Sequence, residues 1–112
     1  MLDERIYQNY IGILKEEMVP AMGCTEPIAL AYGAARAREV LGKEPEHITA
    51  KCSGNIIKNV RCVIIPNSGG LTGIEAGVVL GAVAGDPLLN MEVLSKVNES
   101  GRKRCCELLD KK

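Results

Sequence analysis

The chain has 112 residues, enough for one domain with a modest core. Fourteen lysines and arginines balance 14 aspartates and glutamates, and the aromatic residues are three Tyr with no Phe or Trp. This excludes a basic nucleic-acid binder and a single-strand stacking platform, and it requires an aliphatic core.

In chain order, Leu2, Ile6, Tyr10, Ile13, Leu14 and Met18 recur at helical spacing, with Asp3 and Glu4 suited to a first turn. They predict a helix over residues 3–18 that Pro20 ends. Thr25 is the expected N-cap of a second helix, with Pro27 tolerated in its first turn. Ile28 to Leu41 is apolar nearly all round until Arg36, the mark of a buried helix, and Gly42 is a suitable C-cap. Two strand-like runs follow. Ile48, Ala50 and Cys52 alternate with Thr49, Lys51 and Ser53, and Val60 to Ile65 is largely apolar on both faces, as in a covered strand. Ser53-Gly54-Asn55 is turn-prone. Pro66 to Gly70 is a loop feeding a helix over residues 72–84, where Gly73, Gly77, Gly81 and Gly85 fall every fourth residue. Each glycine costs ~1 kcal/mol against alanine in a helix, a cost met where two backbones nearly touch. Asp86-Pro87 caps a following helix to Lys96, and Asn98 caps another to Leu109. The expected architecture is an α+β domain of the broad α/β class. It is helix-rich, with a short β-sheet of about two strands packed against a buried, glycine-striped helix.

No apolar run reaches the roughly 20 residues that a membrane span needs, and Asp3, Glu4 and Arg5 interrupt the place of a secretory leader. Five cysteines without framework spacing fit reduced thiols in the cytoplasm.

Cys24 is the first candidate for chemistry. It lies just ahead of a helix, where backbone N–H groups and the helix dipole favour thiolate over thiol. It reads as a nucleophile, base or soft ligand, or else as a small buried residue in a tight connection. The second candidate is the Pro66–Gly70 loop, including Ser68, Gly69 and Gly70. Backbone N–H groups of a glycine loop ahead of a helix suit a small carboxylate, and they equally make a structural turn. The phosphate-binding patterns Gly-x-x-x-x-Gly-Lys-Ser/Thr and Gly-x-Gly-x-x-Gly are absent. Ser53, Asn55, Lys58 and Asn59 cluster polar groups that either grip a carboxylate or amine or satisfy turn backbone. Glu75 is the only charge in the glycine helix, placed to hold a substrate amine or to lie on an exposed edge. His47 reads as solvated, and no zinc-ligand spacing or Cys-x-x-Cys occurs. Cys52, Cys62, Cys105 and Cys106 read as structural, the first two as half-buried strand residues.

Three segments carry a resemblance. Met22-Gly23-Cys24-Thr25-Glu26-Pro27-Ile28-Ala29, then Ser53-Gly54-Asn55-Ile56-Ile57-Lys58-Asn59-Val60, then Pro66-Asn67-Ser68-Gly69-Gly70 with Gly73-Ile74-Glu75-Ala76-Gly77, resemble in order the N-terminal blocks of the L-cysteine desulfidases. These are relatives of the iron–sulfur L-serine dehydratase alpha chains. The resemblance implies a lyase that removes the β substituent of L-cysteine or L-serine. Its products are 2-aminoacrylate, then pyruvate and ammonia, with sulfide or water released. It implies a [4Fe–4S] cluster in the full-length enzyme, acting as a Lewis acid toward the leaving atom. It also implies that Cys24 is the base, and that Ser53, Asn55, Asn59, Ser68, Gly69, Gly70 and Glu75 form the substrate site. Members of that family are several times longer and carry their cluster cysteines in the C-terminal part. Residues 1–112 are therefore expected to be a single domain, the N-terminal fragment of such a lyase, inactive alone and binding no cluster alone. Its expected partners are the missing C-terminal part or a partner subunit, or a second copy in a homo-oligomer, with no nucleic acid and no membrane. The alternative is a non-catalytic module for small-carboxylate binding or assembly.

Overall fold

The computed structural model describes residues 4–17 and 24–111. They form α1 (Glu4–Glu17), α2 (Thr25–Leu41), α3 (Gly54–Val60), α4 (Ile74–Ala84), a 3-10 segment (Pro87–Glu92) and α5 (Glu99–Asp110). The Met22-Gly23 start of the first block, Pro20 and the ends predicted for α1 lie outside the described residues.

The body is built on α2 and α4, the two least polar helices. Helix α2 ends where periodicity predicts, at Gly42, whose φ of 82° only glycine adopts freely and whose N–H donates to the Arg38 carbonyl. Its cap at the other end is Cys24, in extended conformation, and not Thr25. Ile28, Ala31 and Ala35 of α2 pack with Ile65, Leu80, Val93, Leu94 and Cys105 in one fully buried cluster.

The glycine repeat finds its partner within this chain. A Cβ on Gly81 would stand 2.2 Å from the Ala31 carbonyl oxygen and 2.5 Å from its Cα, so α2 and α4 cross backbone to backbone at an alanine and a glycine. Gly77 faces Ile65 and the Pro27 carbonyl at ordinary contact distance. Gly73 and Gly85 serve as caps, so α4 starts at Ile74, two residues after the expected point. At its far end, Arg38 of α2 donates to the carbonyls of Ala82 and Gly85. A guanidinium there satisfies helix-end acceptors and suits the negative end of the dipole.

The expected sheet is corrected. Among the described residues there is no strand, only one antiparallel bridge between Ile64 and Thr72. The fold is all-helical rather than α+β. Residues 47–53 do run irregular and largely exposed, but no edge pairs with them. A strand exists only by pairing, which an alternating pattern alone does not supply. The Val60–Ile65 run is divided: Val60 closes α3, Arg61 and Cys62 turn, and Ile65 enters the core. The supposed turn at Ser53 is a helix start instead, with Ser53 Oγ accepting from the Ile56 N–H at 3.3 Å.

The helix expected from Asp86 to Lys96 is a short 3-10 segment broken at Asn90, whose φ is 51°. Asn98 caps α5 as predicted, its Oδ1 accepting from the Gly101 N–H at 2.9 Å.

Candidate functional site

Cys24 is exposed at the start of α2, so the thiol is reachable and not a buried filler. Its Sγ–H donates to the Glu26 carboxylate at 3.1 Å. That bond, foremost, pushes the Cys24 thiol above its ordinary value, and the carboxylate's charge adds to the effect. The backbone N–H groups of Glu26 and Thr25 pull the other way, as a helix start should, but the side-chain contact outweighs them. The same bond holds the Glu26 carboxyl below its usual range. The thiolate expected at this position is thus disfavoured, and the site is a paired thiol and carboxylate.

The second block lies on α3, which packs on α2. Ser53 caps that helix, and Ser53, Asn55 and Asn59 are all exposed. The third block joins α2 at Gly77, which faces the Pro27 carbonyl one turn beyond Cys24, and Ile65, just ahead of the block, shares the core cluster with Ile28. All three blocks therefore adjoin α2.

Within the third block the loop residues divide by role. Ser68 is buried, its hydroxyl donating to the Ile65 carbonyl at 2.6 Å and accepting from the Leu71 N–H at 2.9 Å. It holds the loop closed. Gly69 and Gly70 are exposed with φ of 78° and 98°. Glu75 is exposed in the first turn of α4 and lines two shallow clefts, one with Arg61 and Thr72 and one with Ile48 and Leu109.

Asn67 is the residue that sequence reasoning missed. In the left-handed conformation at φ 56°, its Nδ2 donates to the carbonyls of Leu94 and Val97 at 2.9 and 3.0 Å. Its Oδ1 accepts from Arg102 at 3.0 Å. Asparagine tolerates that backbone region better than most side chains, a signal available at Asn67-Ser68-Gly69. Arg38 was passed over as well.

The chain is similar to "UPF0597 proteins". It is 53% identical to one from Finegoldia magna over 103 residues, 92% of this chain and 25% of the relative. It is 52% identical to one from Desulfitobacterium hafniense over 90% of this chain and 24% of the relative. A third, from Treponema denticola, is 47% identical over 98% of this chain and 26% of the relative. The chain thus spans about a quarter of the length of the curated relatives it matches. No family model and no solved structure matches it.

The donor set does not fit an iron–sulfur cluster. Among the described residues no three His, Cys, Asp or Glu side chains converge as a metal site requires. Cys24 starts α2, Cys52 and the exposed Cys62 flank α3, and on α5 Cys105 is buried while its neighbour Cys106 is exposed. No helix among the described residues is long and apolar enough to cross a membrane.

Proposed function

We propose that this chain forms part of a lyase of the L-cysteine desulfidase or L-serine dehydratase type. The observation that carries the reading is the exposed Cys24–Glu26 pair, set inside the first of three ordered blocks that all adjoin α2. A thiol hydrogen-bonded to a carboxylate at a solvent-open helix start is equipped to move a proton.

In this reading the Cys24 thiol first gives up its proton, through its hydrogen bond to the Glu26 carboxylate, and the thiolate so formed takes the α proton of the substrate. The β carbon–sulfur or carbon–oxygen bond then breaks and the leaving group departs with its electron pair. The 2-aminoacrylate that results tautomerises and takes up water to give pyruvate and ammonia. The amides of Asn55 and Asn59, the exposed Ser53 hydroxyl and the Gly69–Gly70 backbone orient the substrate carboxylate, and Glu75 its amine. Ser68 acts indirectly, by holding the Gly69–Gly70 turn. No step of this chain's share is routed through a cluster, because its described residues provide no ligand set for one. The compartment proposed is the cytoplasm.

The test is anaerobic purification of the full-length Finegoldia magna relative, supplied with iron and sulfide, followed by assay with L-cysteine and L-serine. Pyruvate and ammonia formed in equal amounts, with stoichiometric sulfide from L-cysteine, is the expected result. Saturable binding of either amino acid with no product would reject the lyase and favour a small-carboxylate binding module.

A further inference from the structure

Residues 45–52 cross the body between α2 and α3 without a bond to it. Among the described residues none of their backbone or side-chain groups makes a hydrogen bond. Exposed backbone groups are hydrated in solution, but seven or more consecutive residues with no internal partner are unusual in a folded domain. On one side of this segment lies a cleft of about 400 Å³ between it and α2, lined by Leu30, Ala34, Ala37 and Leu41. On the other side a cleft of about 660 Å³ reaches to Ile57, Val79 and Leu109. Ile48, Thr49, Ala50 and Val78 border both.

The surroundings are apolar and open to solvent. Of the lining residues, Leu41 is 50% exposed, Ile57 43% and Ile48 40%. Exposed apolar side chains grouped around two clefts mark an interaction surface, and Arg38, His47, Lys51 and Glu75 add charged and polar groups to the same lining. Its occupant follows from length. The relatives match this chain over nearly all of its residues yet carry about three quarters of their own length beyond the match. The exposed apolar residues of α1, such as Tyr10 and Leu14, offer a second bare face, but among the described residues only the clefts beside residues 45–52 combine apolar lining with a run of backbone that has no partner.

We propose that the two clefts flanking residues 45–52 seat the portion of polypeptide that the UPF0597 relatives carry beyond the matched quarter. Apolar side chains of that portion fill the clefts, and its polar groups satisfy the free backbone of residues 46–52. The proposal stands apart from the reaction proposed above and does not need it.

Amide hydrogen exchange tests it. Residues 46–52 are followed in this chain, and the matching segment in the full-length Finegoldia magna relative, at the same pH and temperature. Exchange in this chain should be close to that of an unstructured peptide, and at least tenfold slower in the full-length relative. Equally fast exchange in both would overturn the proposal. So would slowing that appears in this chain alone as its concentration rises, because the face would then belong to a second copy.

Discussion

At Cys24 two local fields compete for one proton. The helix start offers N–H groups that favour the thiolate, while the Glu26 carboxylate accepts the S–H bond and favours the thiol. The carboxylate prevails because it is in direct contact, at 3.1 Å. Alkylation of Cys24 followed against pH should therefore show a midpoint above that of an ordinary thiol. Glu26→Gln should lower it by removing the negative acceptor. If the proposed lyase reaction is carried by the full-length Finegoldia magna relative, the rising limb of its pH–rate profile should move down in the matching variant, since the basic form becomes available at lower pH. A midpoint that Glu26→Gln leaves in place would show that the contact has no electrostatic weight. The helix-start effect was legible in the sequence. The opposing effect was not, because two residues of separation do not tell which way a carboxylate turns.

Cys105 is the opposite case. It is fully buried on α5, and burial pushes its thiol from 9.0 up to about 11. The unfolded chain then loses this proton at lower pH than the folded one does. The stabilisation is complete below about pH 9 and is lost as pH rises toward 11. The urea midpoint should fall over that window, and Cys105→Ala should remove this part of the fall. The exposed thiols of Cys24, Cys62 and Cys106 should react with a bulky disulfide reagent in the native protein, and Cys105 only on unfolding.

The elements show which sequence signals carry structural information. Helical periodicity and caps placed α1, α2, α4 and α5 to within a few residues, because apolar faces and glycine or asparagine caps act locally. The strands failed for the reason that pairing is not local, and their pattern was satisfied by an unpaired segment and by a broken run. Helix α3 was overlooked because its seven residues are too few to show a period, although Ser53 was a cap in plain view. The glycine spacing correctly signalled a close backbone approach. Gly81→Ala should cost about 3 kcal/mol or more, since the new methyl meets Ala31 backbone that cannot turn aside. Gly33→Ala, in α2 with nothing within 4 Å, should instead raise stability by about 0.5–1 kcal/mol. Thermal melts of the two variants would separate packing from helix propensity. Asn67→Ala should cost about 2–3 kcal/mol, because two buried-side carbonyls and Arg102 lose their partner.

Over the whole molecule, α2 is the organising element. It packs on α4, contacts α3 and the 3-10 segment, and brings the three motif blocks to one helix. That convergence could not be read from block order, because order says nothing of which surfaces meet. The grouping of Cys24 with Glu26, rather than with any other cysteine, likewise required coordinates. The chain alone, incubated anaerobically with iron and sulfide, should retain no stoichiometric iron after desalting, since its described residues form no ligand set. Stoichiometric iron bound to it would contradict this and place a ligand set within these residues.

The central claim is that the thiol at position 24 handles the substrate proton. The most direct measurement is turnover of L-cysteine and L-serine by a full-length polypeptide carrying this sequence, with Cys24 intact and with Cys24→Ala, at matched iron and sulfide content. A loss of at least roughly 100-fold in kcat, the usual worth of a positioned acid or base, is predicted. Unchanged kcat in the alanine variant at equal cluster content would contradict it.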